Sequence, residues 1–184
     1  MSGDELIRTA LYDEHVERGG NIVDFHGFEL PIWYTSMMEE HLNTRDNAGL
    51  FDVSHMGFFR FTGENVREWM DGVGTQKAST IPPGRCAYTH FLDENGLIID
   101  DMIFCVVSET EILGVPNASM IDHMWEHFHA NISEGVVIEN LSDDTSILAL
   151  QGPTSPEILE SILGSGNVAR HFHGQSCLLY TSPS

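Results

Sequence analysis

Positive charge is what this chain has least of. Its 8 lysines and arginines stand against 28 aspartates and glutamates in 184 residues, a formal net charge of −20. Nucleic acids and anionic membrane surfaces need clustered Lys and Arg, so neither is expected as a partner. Cysteine is nearly as scarce. Cys86, Cys105 and Cys177 are odd in number and fall in no C-x-x-C spacing, which argues against a disulfide framework or a zinc knuckle and predicts reduced thiols. No apolar run approaches the roughly 20 residues of a membrane span, and the N-terminus shows no basic-then-apolar signal pattern. A cytoplasmic location is expected. A G-x-S-x-G elbow, a P-loop and a Rossmann glycine pattern are also missing, so hydrolase, kinase and dehydrogenase readings have no support.

What is present suits a folded domain or two small ones: 41% apolar and 20% charged residues. Periodicity and stop signals predict a helix over 5–18 ended by Gly19-Gly20, then a strand over 22–25 that turns at His26-Gly27 into 28–34. A second helix runs from a cap at Thr35 or Ser36 to Ala48, boxed by Glu39 and ended by Gly49. A strand over 58–61 and a helix over 64–70 precede a hairpin, 86–92 with 97–107, whose turn carries Asn95-Gly96. A strand over 111–115, a helix over 119–131, strands over 136–141 and 147–150, and a helix over 155–163 complete the pattern. The order predicts an α+β fold with antiparallel sheets and packed helices. Residues 174–184 do not continue it and read as a non-native tail.

Two stretches carry chemistry: F-D-V-S-H-M-G at 51–57 and N-G-L-I-I-D-D at 95–101. An apolar strand that runs into Asp100-Asp101 is costly as plain structure, because adjacent carboxylates repel and buried ones need partners. Strand alternation puts one aspartate on the core side and the other away from it, and Tyr88 on the partner strand stands near one of them. Met56, Tyr88 and one aspartate would form apolar walls with a polar anchor, which suits a heteroaromatic ligand. The alternative is an edge-strand Asp pair that binds loop amides. Ser54-His55 is no dyad, since neighbouring side chains in a strand diverge, and His55 reads as a core or turn histidine. His123 and His127 match H-x-x-E-H, a zinc pattern. The stripe Ile121, Met124, Trp125, Phe128 and Ile132 turns both histidines toward solvent, and the downstream glutamates offer no convincing third ligand. No metal is expected.

Taken together these segments resemble the glycine-cleavage T-protein (aminomethyltransferase) family, in its N-terminal half. The matching pieces are L-Y-D-E-H-V from Leu11, V-D-F-H-G-F-E-L-P from Val23, E-H-L-x-x-R from Glu40, G-L-F-D-V-S-H-M-G from Gly49, I-I-D-D from Ile98 and L-A-L-Q-G-P from Leu148, in family order across about 8–163. The resemblance implies a folate-binding enzyme with a first domain of 1–50 plus 141–173 and an inserted second domain of 51–140. It implies transfer of a methylene group from the aminomethyl-lipoyl arm of H-protein to tetrahydrofolate, with ammonia released. The essential aspartate of the family falls on Asp101, and Met56, Tyr88, Asp101, Ile103 and Asn117 fall on folate-site positions. The chain departs from the family at Val115-Pro116-Asn117-Ala118-Ser119-Met120, where V-N-A-A-N is common, and at Cys105, where an aromatic residue is common. Those departures keep open a relative that uses another small one-carbon donor, or a non-catalytic folate binder. A chain of this extent is expected to be inactive alone.

Overall fold

A computed structural model describes residues 6–164. Cys177, the part of the first domain after residue 164 and the expected tail at 174–184 lie outside the described residues. Strand β1 (Ile7–Arg8) pairs in parallel with Phe28–Glu29, so the helix expected over 5–18 is confined to α1 (Tyr12–Glu17). Pairing wins over helix because Arg8 then meets Glu29 at 2.5 Å and lies 4.1 Å from the centroid of the Tyr12 ring. Gly19 ends α1 in the left-handed region (φ 74°), with its N–H on the Val16 carbonyl at 3.0 Å. Strands β2 (Ile22–Phe25) and β3 (Phe28–Pro31) form a hairpin around His26 and Gly27. Both turn residues have positive φ, 53° and 88°, as a tight two-residue hairpin loop requires.

Helix α2 (Met37–Asp46) is capped by Ser36, whose hydroxyl accepts from the Glu39 N–H at 3.4 Å. The return bond of the box comes from Glu40 and not from Glu39. Its carboxylate accepts from the N–H groups of Tyr34 and Thr35 at 2.7 Å and of Ser36 at 3.2 Å. Those three bonds hold the Glu40 carboxyl below its ordinary range against the upward push of burial. Gly49 does not stop the helix. It opens β4 (Gly49–Asp52), a strand absent from the sequence reading, which pairs antiparallel with β10 (Leu148–Gln151).

Between those two strands lies the larger sheet. It is built from β5 (Phe59–Thr62), β6 (Arg85–Leu92), β7 (Ile98–Ser108), β8 (Glu111–Pro116) and β9 (Val137–Asn140), in the order β6-β7-β8-β5-β9 with every neighbour antiparallel. Helices α3 (Val66–Val73) and α4 (Ile121–Ala130) cover one face, and α5 (Ser155–Leu163) follows β10. The covered face packs Phe59, Phe61, Phe91, Met102, Phe104 and Ile112 against Val66, Trp69 and Met70 of α3 and Met124 and Phe128 of α4. The Phe128 ring meets Phe61 and Phe91 edge-on at 5.1 and 5.0 Å between centroids, a favoured aromatic geometry. The α4 stripe buries Met124 and Phe128 as expected, but Ile132 lies past the helix end and is exposed. The fold is α+β, with β1–β3 the parallel exception. Among the described residues no helix is long and apolar enough to cross a membrane.

Candidate functional site

Register decides where the aspartates point. Asp100 opposes Phe91 and Asp101 opposes His90, so Asp100 belongs to the face packed by α3 and α4 and Asp101 to the opposite one. Ile103 shares the face of Asp101, and Tyr88 stands directly across from Ile103. Tyr88 is therefore diagonal to Asp101 and on the opposite face from Asp100. At 53% and 47% exposure, Tyr88 and Ile103 present an open apolar pair beside the Asp101 carboxylate. Cys86 and Cys105, distant in sequence, are also cross-strand partners on this face.

The F-D-V-S-H-M-G run delivers the second part of the site. After β4 the chain turns through Ser54 and His55, and the Met56 N–H closes the turn on the Val53 carbonyl at 3.0 Å. The Gly57 N–H then bonds the Pro116 carbonyl at 3.0 Å, and a Cβ at Gly57 would meet Pro116 Cγ at 2.6 Å. Glycine is what lets this segment lie against the end of β8, and so brings Met56 close to Asn117. A cavity of about 330 Å³ results, lined by Phe25, His26, His55, Met56, Asp100, Asn117, Ala118, Ser119 and Met120.

Asn117 joins the two parts. Its amide nitrogen donates to Asp100 Oδ1 at 2.8 Å, to the Asp101 carbonyl at 3.2 Å and to Asp101 Oδ1 at 3.3 Å. Met56 and Asn117 thus line the cavity, Asp101 meets it through Asn117, and Tyr88 and Ile103 lie on the neighbouring open sheet face. Sequence reasoning did not find Phe25 or His26 as site residues, left open which aspartate of the doublet served the site until resemblance selected Asp101, and read His55 as a core or turn histidine. The Asp-Asp doublet in an apolar run and the His26-Gly27 turn were the available signals.

His55 is held in its turn edge-on to the Phe25 ring, 5.2 Å between centroids. Burial pushes its pKa below the ordinary histidine value, with Asp52 pulling up and His26 pushing down by lesser amounts. The imidazole is accordingly neutral at pH 7. Its Nδ1 is buried without a partner among the described residues, as is Asp100 Oδ2.

Asp52, the motif aspartate, serves an anchoring role. Its carboxylate accepts from Thr9 Oγ1 at 2.7 Å, His15 Nε2 at 2.9 Å and the Ser54 N–H at 2.9 Å. Burial pushes this carboxyl up, but the hydrogen bonds from Ser54, His15 and Thr9 outweigh it and leave the group below its ordinary range. His15 Nδ1 lies 2.7 Å from the Tyr34 hydroxyl. With the proton on Nε2 facing Asp52, that hydroxyl donates to Nδ1, and burial raises the Tyr34 pKa so that it keeps its proton.

The H-x-x-E-H histidines do not converge with other ligands: among the described residues no group of three or more His, Cys, Asp or Glu side chains is placed to hold a metal. His123 is exposed. His127 departs from the expected outward orientation. It is half-buried against the Phe91 ring at 6.1 Å, and burial, with His123 nearby, pushes its pKa down.

The model of the GCVT N-terminal domain matches residues 11–176. The aminomethyltransferase of Thermotoga maritima is 40% identical over 161 residues, which cover 86% of this chain and 44% of that protein. The aminomethyltransferase of Halalkalibacterium halodurans is 40% identical over 160 residues, 86% of this chain and 43% of that protein. Among solved structures, glycine cleavage system aminomethyltransferase T from Bartonella henselae superposes with a TM-score of 0.83 at 29% identity, over 88% of this chain and 45% of its own. The chain thus spans less than half the length of the curated relatives it matches.

Proposed function

The chain belongs to the GCVT N-terminal domain family, and from that premise we propose that it carries part of the tetrahydrofolate site of an aminomethyltransferase. In this reading a first domain of 1–50 plus 141–173 meets an inserted second domain of 51–140, and the segment that carries Met56, between β4 and β5, forms the seam. The donor is the aminomethyl group on the lipoyl arm of H-protein, ammonia is the leaving product, and the reaction is cytoplasmic. The observation that carries the reading is the Asp101 carboxylate, tethered to Asn117 between a cavity walled by Met56 and an open Tyr88–Ile103 pair.

That donor set fits a folate. In this reading Met56 in the cavity, and Tyr88 with Ile103 on the neighbouring sheet face, are the apolar side chains offered to a flat heteroaromatic ring. Asn117, with its amide nitrogen committed to the aspartates, keeps its carbonyl oxygen as an acceptor for a ring N–H. Tetrahydrofolate, when bound, is the acceptor of the one-carbon unit. Asp101 is the catalytic residue in this reading. With Oδ1 anchored by Asn117, the other oxygen is available to orient an amine nitrogen, to balance positive charge that develops beside it, and to pass a proton to the departing amine.

Asp101→Asn tests the assignment. Tetrahydrofolate affinity, measured by calorimetry, is expected to stay within about tenfold of the parent, while ammonia release from aminomethylated H-protein falls by on the order of 10²-fold or more. Near-normal turnover in the variant would remove Asp101 from the catalytic role.

A further inference from the structure

Asp100 is a buried carboxylate at 7% exposure, and among the described residues its side chain has one hydrogen-bond partner, Asn117. Burying a carboxylate on so little support costs stability, so the placement calls for a reason beyond packing. We propose that Asp100 is a positioning residue: through Asn117 it fixes the side chain of Asp101. The geometry stands by itself, while its consequence for turnover rests on the aminomethyltransferase reading.

The argument begins with the acceptors around Asn117. Asp100 Oδ1, the Asp101 carbonyl and Asp101 Oδ1 lie 2.8, 3.2 and 3.3 Å from one side-chain atom. The carbonyl can only accept and ionised carboxylates only accept, so that atom must be the amide nitrogen. An amide nitrogen has two hydrogens. The shortest contact takes one of them to Asp100, and the other is shared between the carbonyl and carboxylate of Asp101. Asp100, with the shortest of the three contacts, is the acceptor that holds the amide nitrogen most tightly in this orientation. It also places the carbonyl oxygen of Asn117 away from the aspartates, and leaves one Asp101 oxygen untethered.

In Asp100→Asn the shortest of the three constraints is lost and only the longer contacts to Asp101 still hold the donor. The new amide offers hydrogens to the Asn117 carbonyl oxygen, so Asn117 can turn over and withdraw its donor from Asp101. The exchange variant Asp100→Asn with Asn117→Asp separates positioning from structure. It rebuilds a donor–acceptor pair between the same two positions, now with position 117 accepting, but gives Asp101 no donor.

The expected results, in the 184-residue chain, are these. Asp100→Asn melts at or above the parent temperature, because an under-supported buried charge has gone, yet transfer at saturating tetrahydrofolate falls about tenfold or more. The exchange variant, in which a carboxylate at position 117 faces the Asp101 carboxylate, does not regain transfer. Recovery of at least half the parental rate in the exchange variant, or an Asp100→Asn rate within about twofold of parent, would overturn the proposal. If the parent shows neither saturable tetrahydrofolate binding nor transfer, the aminomethyltransferase reading is what fails. The positioning claim is then read from the Asn117 side-chain amide by NMR. Its two protons are expected to be separated and slow to exchange in the parent, and to collapse toward free-amide values in Asp100→Asn. Unchanged amide signals would overturn it.

Discussion

The five-stranded sheet and the segments that flank it in sequence are held together by different physics. In the sheet unit, Phe59, Phe61, Phe91, Phe104, Met70 and Phe128 reach 0% exposure beneath two amphipathic helices. Over residues 6–56 the buried residues are Leu30 and His15, joined by the side chain of Asp52. Helices α2 and α5 bury no residue, and Met37, Met38, Leu42, Leu50 and Ile162 are each at least half exposed. What organises the flanking part is the knot of Thr9, His15, Tyr34, Asp52 and Ser54, with the Glu40 carboxylate clasping three backbone N–H groups. A packed core is non-directional and tolerates small changes in proportion to volume. A hydrogen-bonded knot is directional, and losing one partner orphans the others. The proposed site lies where the two meet, with Met56 supplied from the flanking side and Asp101, Asn117, Tyr88 and Ile103 from the sheet unit.

The largest effect is expected from emptying the core. Phe128→Ala removes the ring that touches Phe59, Phe61, Trp69 and Phe91, and should cost roughly 3–5 kcal/mol in denaturant unfolding. The comparison sharpens if amide exchange accelerates throughout β5 to β9. A loss below about 1 kcal/mol would mean that the sheet unit is not the stable part. A smaller and more local effect is expected from His15→Ala, which leaves the Tyr34 hydroxyl and the Asp52 carboxylate each short of a partner, for about 1–3 kcal/mol. Exchange should rise in α1, β4 and β10 while the sheet unit is unaffected. Equal acceleration in both regions would break the distinction and make the chain one cooperative body.

The sheet unit was the more legible half for the same reason that it is the more stable. Alternating apolar residues in 86–92 and 97–107 around Asn95-Gly96, and the Met124–Phe128 stripe, report burial directly, and those elements lie where periodicity placed them. The flanking segments encode their structure in polar pairs between distant positions, which periodicity does not register. Ile7-Arg8 reads as the start of a helix until Glu29 is beside it. Gly49-Leu50-Phe51-Asp52 reads as a helix stop until residues 148–151 are known to pair with it. At the site, the Asp-Asp doublet was visible as an anomaly, and resemblance selected Asp101, but alternation left open which aspartate faced Tyr88. Register resolved that by setting Tyr88 opposite Ile103. The part played by Asp100 needed the Asn117 amide, which is 16 and 17 residues from its partners and carries no sequence signal. His127 was read as solvent-facing because a helical wheel shows which stripe is apolar, not how far Phe91 of a neighbouring strand reaches around it.

The smallest effects, and the most selective, should come from pH. His55 and His127 both have pKa values pushed down chiefly by burial. A histidine depressed in the folded state contributes stability that is complete above the unfolded value near 6.5 and is lost as pH falls toward the folded value. Stability should therefore drift downward between about pH 7 and 5, in the flanking part through His55 and in the sheet unit through His127. Asp52 acts lower. Its carboxyl is held below the ordinary range by Ser54, His15 and Thr9 despite burial, so its contribution is present above the unfolded carboxylate value and disappears as pH falls through the folded one. Below about pH 4 the knot should open first. Histidine ring proton shifts followed by NMR from pH 8 to 3 separate the steps. His55 and His127 should titrate below the ordinary histidine value, and the Tyr34 signals should change at the acid end while the ring protons of Phe61 and Phe128 hold their positions. A His127 midpoint at the ordinary histidine value would place the ring in solvent, and acid loss of the Phe61 and Phe128 signals together with those of the knot would show that the polar half and the apolar half stand or fall as one.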